Sequence, residues 1–406
     1  MFLICSSLLF TYITLYITLT SFEFTISSTT TTHSVISTHY FYENNTYYYL
    51  LYLGYPGAKL YAPISLSSQH TTIKDALFVK HNSNSIKTFD SEIITTKGFK
   101  EITANKLCDS VIKHKNAFTI NQFCFYSIPS YIYNSMPNEY DGLSFAFHIT
   151  NENSSLIHLL NRTQQISKPI FAFVPPDYNE QHKTKGLMFY GGIDLKYLNN
   201  KTYYTVCSTV KTAIAWGCVL DYIFIDNVDD YRSKHNKQTF GNIYYSIFQT
   251  SEEYILAPES FHKFFLEYVL SINGQCYQVK DEMSFYIQCD VHTVMNKLKS
   301  IDFSFEHSMF RFKPHELFTC VNNECKFKIR FRESSAHLWT IGTAFLDKYA
   351  TVFDYENSSI TFYSEEWLDI KNKSLSIPIP QVVHISHSNI KCVIMFNITI
   401  FLIINI

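Results

Sequence analysis

Residues 338–354 decide the fold, and they read LWTIGTAFLDKYATVFD. The last part of this stretch, Thr351 to Asp354, is β-branched and aromatic and predicts a strand. A second such run, Ser359 to Tyr363, follows after the polar residues Tyr355-Glu356-Asn357-Ser358. Because polar residues of this kind favour tight turns, the segment predicts a β-hairpin.

The composition agrees with a sheet protein that has a packed core. The chain has 406 residues, of which 46 % are hydrophobic and 17 % aromatic, including 35 Phe and 30 Tyr. Aromatic residues favour pleated sheet, and a chain this apolar is not disordered. Its formal net charge is −2, without a long run of like charge. This argues against nucleic acid as a partner.

Short apolar runs separated by polar turns predict further strands. They lie at residues 47–53, 171–174, 188–190, 203–206 and 219–225. Two helices are predicted, one over residues 156–165 after Ser154-Ser155 and one over residues 258–270 beginning at Pro258. Many strands and few helices indicate a sandwich, a barrel or paired barrels.

Several segments together resemble the pepsin-like aspartic proteases. Residues 338–354 resemble that family's W-x-L-G-x-x-F-L followed by Y-x-x-F-D, and residues 186–194, GLMFYGGID, resemble G-x-L-x-F-G-G-x-D. Residues 141–147 resemble D-G-I-L-G-L-G, and residues 121–123 match the strand upstream of it. The resemblance spans residues 40–367 in the family's order. It implies a mainly β, bilobal pepsin-like acid protease fold, with two β-barrel-like lobes around a central cleft.

The expected organisation has five parts. An apolar stretch without charge at residues 2–19 predicts a signal peptide over residues 1–21. A short linker (22–37), an N-terminal lobe (38–174) and a C-terminal lobe (175–375) follow. The tail (376–406) ends in an apolar run at 390–406, which is read as a membrane anchor, a removable lipid-anchor signal or a disordered extension.

The family's chemistry requires two aspartates, one from each lobe, that share a proton and activate a water. The resemblance places the first D-T-G-S turn on Ser65-Leu66-Ser67-Ser68 and the second turn on Gln249-Thr250-Ser251-Glu252. Ser65 and Gln249 therefore replace both catalytic aspartates. The covering flap falls at Ser91 to Lys97, without its usual Tyr or Gly, and is degenerate there.

Other acids near these turns are Asp75, Glu252 and Glu253. A displaced acid would have to reach a site defined to about half an ångström, so these residues are interpreted as solvated loop acids. His307, His315 and Glu316 lie close in sequence and could touch a metal, but chance proximity explains them better in a chain with 16 His. The sequence predicts neither a metal nor a cofactor.

Eight cysteines remain when Cys5 and Cys392 are set aside, and an even number behind a signal peptide predicts four disulfides. Cys108 and Cys124, and Cys207 and Cys218, are expected to pair across hairpins. Three connectivities stay open for Cys276, Cys289, Cys320 and Cys325; the resemblance implies a link from Cys289 forward to Cys320 or Cys325. N-glycosylation is expected at several sequons: Asn44, Asn153, Asn161, Asn200, Asn357 and Asn372.

Two functions follow from the resemblance. The first is a secreted, catalytically inactive homologue whose cleft binds a peptide or protein. The alternative is an aspartic-type endopeptidase with a displaced acid or a misaligned motif. Neither requires nucleic acid, and membrane contact is expected only if residues 390–406 form an anchor.

Overall fold

A computed structural model describes most of the chain between residues 35 and 365. The described ranges are 35–43, 46–54, 58–74, 86–95, 101–112, 119–128, 142–148, 152–176, 185–198, 201, 203–210, 215–225, 244–262, 265–266, 275–280, 284–332 and 338–365. The predicted signal peptide, Asp75, Asn44, Asn200, Asn372 and the predicted tail lie outside these ranges.

Twenty-three strands are found in the described residues. The first eleven are β1 (Ile36–Glu43), β2 (Thr46–Leu53), β3 (Ala58–Ser65), β4 (Thr72–Lys74), β5 (Lys87–Thr95), β6 (Glu101–Ile112), β7 (Thr119–Ile128), β8 (Leu143–Ser144), β9 (Ile170–Val174), β10 (Lys185–Tyr190) and β11 (Tyr203–Ser208). The others are β12 (Gly217–Ile225), β13 (Tyr244–Phe248), β14 (Ile255–Pro258), β15 (Cys276–Lys280), β16 (Phe285–Asp290), β17 (Ile301–Phe305), β18 (Ser308–Phe312), β19 (Phe318–Val321), β20 (Glu324–Arg332), β21 (Leu338–Ile341), β22 (Ala350–Asp354) and β23 (Ser359–Ser364).

The helices of the described residues are short. They are α1 (Leu156–Arg162), α2 (Val291–Asn296), α3 (Pro314–Leu317) and α4 (Thr343–Leu346), with 3-10 turns at Glu152–Ser154, Leu195–Leu198 and Glu259–Phe261. In this part of the chain, no helix has both the length and the apolar character needed to cross a bilayer.

The strands form two sheets, so the predicted mainly β class is confirmed. One sheet has 13 strands and follows the path β11-β23-β22-β9-β10-β1-β2-β6-β7-β4, while β3, β5 and β8 pair off this path. The other has 10 strands and follows β15-β16-β20-β14-β21-β13-β12-β17-β18, with β19 paired to β20. The 13-stranded sheet contains strands from both sides of residue 174, and the division into lobes at that residue stays a prediction.

Aromatic packing holds the decisive C-terminal stretch against the rest of the core. Phe353 on β22 stacks on Phe171 of β9, with ring centroids 4.7 Å apart and planes at 11°. Trp216 packs edge-on against both rings and donates its indole hydrogen to the Phe145 carbonyl at 2.7 Å. All four aromatic side chains are fully buried. Stacked and edge-to-face pairs of this kind stabilise a core beyond the area that they bury.

Most predicted elements are confirmed. The hairpin at 351–363 is β22 and β23, and the other predicted strands lie within β2, β9, β10, β11 and β12. Helix α1 ends at Arg162, three residues earlier than predicted. In the predicted helix 258–270, Pro258 is the last residue of strand β14, where it pairs in parallel with Arg332 of β20. It also caps the 3-10 turn Glu259–Phe261, so helical backbone begins one residue later than predicted. Of the residues after this turn, 262 and 265–266 are α-helical, and 263–264 and 267–270 lie outside the described residues.

Eight cysteines form the four predicted disulfides. Cys108–Cys124 and Cys207–Cys218 are bridged as expected. The remaining bonds are Cys276–Cys289 and Cys320–Cys325. The forward link implied for Cys289 was therefore wrong. Each of these four cysteines bonds to its partner within a hairpin, β15–β16 or β19–β20.

Candidate functional site

Ser65 ends strand β3, and its hydroxyl shapes the loop that follows. Its Oγ accepts hydrogen bonds from the backbone N–H groups of Ser68 at 3.0 Å and Ser67 at 3.4 Å. The Ser65 carbonyl accepts from Phe145 N–H at 2.7 Å, just after β8. Ser65 is 2 % exposed. The hydroxyl thus accepts N–H donors within the turn, and it has no ordinary means of holding a negative charge.

Gln249 follows strand β13 and is held by the neighbouring strand. Its N–H donates to the Ile341 carbonyl at 2.9 Å, at the end of β21. The residue is 9 % exposed. Its side-chain amide is not among the fully buried polar atoms that lack a hydrogen-bond partner in the described residues. A carboxamide both donates and accepts, so it is able to bind a polar ligand.

A direct hydrogen bond brings these two loops together. Thr250 Oγ1 donates to the carbonyl oxygen of Ile64, the residue immediately before Ser65. Thr250 is fully buried, and its own carbonyl accepts from Tyr47 N–H on β2 at 3.1 Å. Ser65 and Gln249, each one residue from this bond, are therefore adjacent parts of one site.

The joining of the loops is asymmetric. Leu66 occupies the position in the first loop that Thr250 occupies in the second, and it is fully buried. An aliphatic side chain offers no hydrogen to the opposite loop. The hydroxyl–carbonyl bond consequently runs in one direction only, and Leu66 contributes apolar packing in its place. The alignment of the two turns already indicates this asymmetry, because Thr250 follows Gln249 whereas Leu66 follows Ser65.

Of the loop acids that were weighed as substitutes, Glu252 and Glu253 lie within the described residues. The Glu252 carbonyl accepts from Thr343 N–H at 2.7 Å, which fixes its backbone against α4. The carboxylate of Glu253 accepts from the Thr319 hydroxyl at 3.3 Å on strand β19. Gly342 packs so closely on this loop that an added Cβ would lie 2.2 Å from the Glu252 carbonyl oxygen.

The predicted flap region is a β-hairpin formed by β5 and β6. Ser91 lies on its exposed face and donates to Asn105 Oδ1 at 2.7 Å. The next residue, Glu92, accepts from Tyr126 on β7 at 2.5 Å and pairs with Lys106 at 2.9 Å. These contacts hold the pKa of the Glu92 carboxyl below its usual value. Through Glu92, strand β5 of the hairpin is therefore hydrogen-bonded to β7 and ion-paired to β6. Residues 96–100, which connect β5 and β6, lie outside the described residues.

His70 lies beside Tyr126 of β7 and was missed by the sequence reasoning. Its ring packs edge-on against Tyr126, with centroids 5.1 Å apart, and the residue is 8 % exposed. Its carbonyl accepts from the Ser68 hydroxyl at 2.8 Å. Burial lowers the pKa of the imidazole below its usual value. The His70 backbone thus supports the Ser65 loop while its ring packs on Tyr126, and no motif pointed to this residue.

A buried tyrosine–aspartate pair, also missed, lies next to the Gln249 loop. Tyr47 on β2 donates its hydroxyl to Asp347 Oδ1 at 2.6 Å, just after α4. Burial raises the pKa of the Asp347 carboxyl to about 6, although the Tyr47 hydrogen bond and the charge of Lys328 act in the opposite direction. Since the Tyr47 backbone also binds Thr250, this pair supports the joined loops from behind.

The residues considered for a metal do not form one cluster. The His307 backbone N–H donates to Asp221 at 2.8 Å, while Glu316 accepts from Lys348 at 2.6 Å and from Lys313 N–H at 2.6 Å. No group of three or more His, Cys, Asp or Glu suited to a metal occurs within the described ranges.

Three predicted glycosylation sites lie in the described part of the chain. Asn357 is exposed in the β22–β23 turn, although its amide donates to Asp354 at 2.7 Å. Asn153 accepts from Arg162 at 2.7 Å. Asn161 is half-buried and, with its amide nitrogen turned inward, reaches the carbonyls of Ile166 and Ser167 at 3.3 and 3.2 Å.

Comparison with protein families identifies the chain. The family model described as eukaryotic aspartyl protease matches residues 71–364, which is more than half of the sequence. The chain belongs to the eukaryotic aspartyl protease family. No curated protein matches it by sequence.

Solved structures share the fold of this aspartyl protease family member at low identity. The basic 7S globulin from soybean has a TM-score of 0.63 at 14 % identity and covers 82 % of this chain and 96 % of its own. Conglutin gamma, a basic 7S globulin from lupine seeds, has a TM-score of 0.62 at 13 % sequence identity. The match covers 82 % of this chain and 95 % of conglutin gamma. An aspartic proteinase from Irpex lacteus has a TM-score of 0.60 at 12 % sequence identity. The match covers 82 % of this chain and 97 % of the proteinase. These matches show the pepsin-like fold alone.

Proposed function

We propose that this protein is a secreted, non-catalytic member of the family, and that its cleft binds a peptide or protein segment. The observation that carries the proposal is the hydrogen bond from Thr250 to the Ile64 carbonyl, which joins two loops bearing Ser65 and Gln249. The chemistry of aspartic proteases needs a carboxylate at each of these positions to accept and donate the proton of the attacking water. A hydroxyl and a carboxamide cannot perform that transfer at mildly acidic pH.

Binding is supported by the same two residues. Gln249 lies beside the Thr250–Ile64 hydrogen bond and is 9 % exposed, and its carboxamide offers a donor and an acceptor to a ligand at this point. A peptide backbone offers alternating donors and acceptors that match a carboxamide. The proposed partner is therefore an extended peptide or protein segment rather than nucleic acid.

Secretion is part of the proposal. Four disulfides are typical of proteins that fold in an oxidising compartment, and the uncharged apolar stretch at residues 2–19 fits a signal peptide. Expression in a eukaryotic secretory host, followed by N-terminal mass spectrometry of the medium, tests this part. A mature chain that begins near residue 22 is expected, and an intact Met1 in the cytosol would contradict it.

A binding experiment tests the cleft directly. The purified protein is screened against a peptide library, and the best peptide is then measured by calorimetry against the Gln249→Leu variant. A loss of about fivefold in affinity is expected, since one hydrogen bond of a carboxamide contributes about 1 kcal/mol.

Gln278→Ala, on the exposed strand β15, is the matched control and should leave the affinity unchanged. If Gln249→Leu binds as tightly as the unmodified chain, the site of peptide binding lies elsewhere. In the displaced-acid alternative, Glu253 would have to leave its contact with the Thr319 hydroxyl.

A further inference from the structure

Four of the cysteines lie in one row across four neighbouring strands. Cys276 on β15 is directly opposite Cys289 on β16, and Cys289 is directly opposite Cys325 on β20. Cys325 is in turn directly opposite Cys320 on β19. Residues that are directly opposite in a sheet point to the same face. All four sulfur atoms therefore lie on one side of the sheet, as two disulfides placed end to end.

The two middle cysteines are placed so that they could bond to each other. The Cα atoms of the bridged pairs are 4.1 Å apart in Cys276–Cys289 and 4.0 Å apart in Cys320–Cys325, a spacing typical of pairs without mutual backbone hydrogen bonds. A strand residue that lacks these bonds on one side makes them on the other. Cys289 and Cys325 are then a hydrogen-bonded pair, with a Cα separation of about 5.5 Å. That separation lies within the range of disulfides, about 4.4 to 6.8 Å.

Exposure differs along the row. Cys289 and Cys325 are 1 % and 0 % exposed, while Cys320 lies in an exposed hairpin end and Cys276 is half-buried. An external thiolate therefore reaches the row most readily at Cys320. Because disulfide exchange requires access to the attacked sulfur, the exposed end decides where the reaction begins.

We propose that these four cysteines form a thiol–disulfide relay that carries a reducing equivalent across the sheet from Cys320 to Cys276. An external monothiolate attacks the Cys320 sulfur, forms a mixed disulfide there and releases Cys325 as a thiolate. The Cys325 thiolate attacks Cys289, forms the Cys289–Cys325 disulfide and releases Cys276 as a thiolate, which takes up a proton. A second monothiol cleaves the mixed disulfide at Cys320, so two external thiols become one external disulfide and the protein gains two thiols.

The relay changes which strands are tied covalently. In the structure described, each outer strand, β15 or β19, is bonded to its inner neighbour. In the shifted state the inner strands β16 and β20 are bonded to each other, and both outer strands lose their covalent tie. Cys320 and Cys276 become the two free thiols, one at each end of the row.

Stepwise native reduction tests the relay. The full chain is treated with increasing glutathione without denaturant, free thiols are trapped by alkylation, and disulfide-linked peptides are mapped by mass spectrometry. The first reduced species is expected to carry alkylated Cys276 and Cys320, in equal amounts, together with a Cys289–Cys325 peptide. A first species with alkylated Cys320 and Cys325 and an intact Cys276–Cys289 bond would overturn the proposal.

A pair of variants gives an independent test. In the Cys276→Ser/Cys320→Ser variant only the two middle cysteines remain in the row, and the folded protein is expected to form Cys289–Cys325. The control variant, Cys276→Ser/Cys325→Ser, leaves Cys289 and Cys320 on strands that are not neighbours, and it should keep two free thiols. Free Cys289 and Cys325 in the first variant, folded as judged by circular dichroism, would contradict the relay.

Discussion

The hydroxyl of Thr250 donates a hydrogen bond to the backbone carbonyl of Ile64, 186 residues earlier in the chain. This contact sets the positions of the two loops whose side chains would perform catalysis in an active family member. The contact is present in this chain, in which the proposed assignment puts Ser65 and Gln249 at the positions of the acids. Under the proposed function, loss of the catalytic groups leaves this support in place, as expected for a site retained for binding.

Replacing Thr250 by valine should destabilise the protein. Thr250→Val keeps the shape of the side chain but leaves the buried Ile64 carbonyl without this donor, which costs about 1 to 3 kcal/mol of unfolding free energy. Urea denaturation measures the change. Thr319→Val is the control, because its hydroxyl bonds to Glu253 at the surface, and a loss within about 0.5 kcal/mol is expected. Equal losses in both variants would contradict the structural role of Thr250.

The Asp347 carboxyl should make stability depend on pH. Its pKa is about 6 in the folded protein, above its usual value of 3.8, so folding favours the protonated form. This contribution is complete below about pH 4 and is lost as the pH rises through 6. A shift of this size, for a side chain that is partly accessible, corresponds to about 1 to 3 kcal/mol.

The Asp347→Asn variant, which cannot ionise, should show a smaller loss of stability between pH 4 and pH 7 than the unmodified chain. Urea midpoints at both pH values measure it. Tyr47→Phe removes the hydroxyl that stabilises the carboxylate, and should move the loss to higher pH. The same pH dependence in Asp347→Asn and the unmodified protein would exclude this carboxyl as the cause.

Gly186 is required by the ring of Tyr40. A Cβ atom at residue 186 would lie 2.1 Å from the Tyr40 ring, which is 1 % exposed and has no room to move. Gly186→Ala should therefore cost about 2 kcal/mol or more in thermal or urea unfolding. Because the cost arises from one contact, Tyr40→Leu should recover part of it in the double variant. Simple addition of the two losses would contradict this explanation.

Glycosylation should follow the exposure of the sequon asparagines. Asn357 is exposed in a hairpin turn, whereas Asn161 is half-buried with its amide engaged by the Ile166 and Ser167 carbonyls. Enzymatic deglycosylation in heavy-oxygen water, read by mass spectrometry, is expected to label Asn357 and to leave Asn161 unlabelled. The opposite pattern would contradict the structure around α1.

The strands were predictable wherever β-branched and aromatic residues cluster, as at residues 171–174 and 351–354. Pro258 does precede helical backbone, as predicted, but its pairing with Arg332 at the end of strand β14 could not be predicted, because it depends on a residue distant in sequence. The pairing of the last four cysteines could not be predicted, since Cys289 faces Cys276 on one side and Cys325 on the other. Sequence alone does not choose between two such neighbours.

The two turns were assigned to Ser65 and Gln249 from short motifs at fixed distances, and that assignment stays a prediction. Their surroundings could not be predicted in the same way. The support from His70, Tyr47 and Asp347 comes from residues that are distant in sequence, and each has an ordinary identity for a core or loop position. Long-range contacts of this kind leave no local pattern in a single sequence.

The central claim, a cleft without hydrolytic activity, is tested most directly by a hydrolysis assay. The purified protein is incubated with denatured globin and peptide libraries from pH 3 to pH 7, with and without a statine-type inhibitor, beside an active fungal aspartic proteinase. We predict no inhibitor-sensitive cleavage by this protein at any pH, while the fungal enzyme cleaves. Inhibitor-sensitive cleavage that copurifies with the chain would contradict the claim and establish an aspartic endopeptidase.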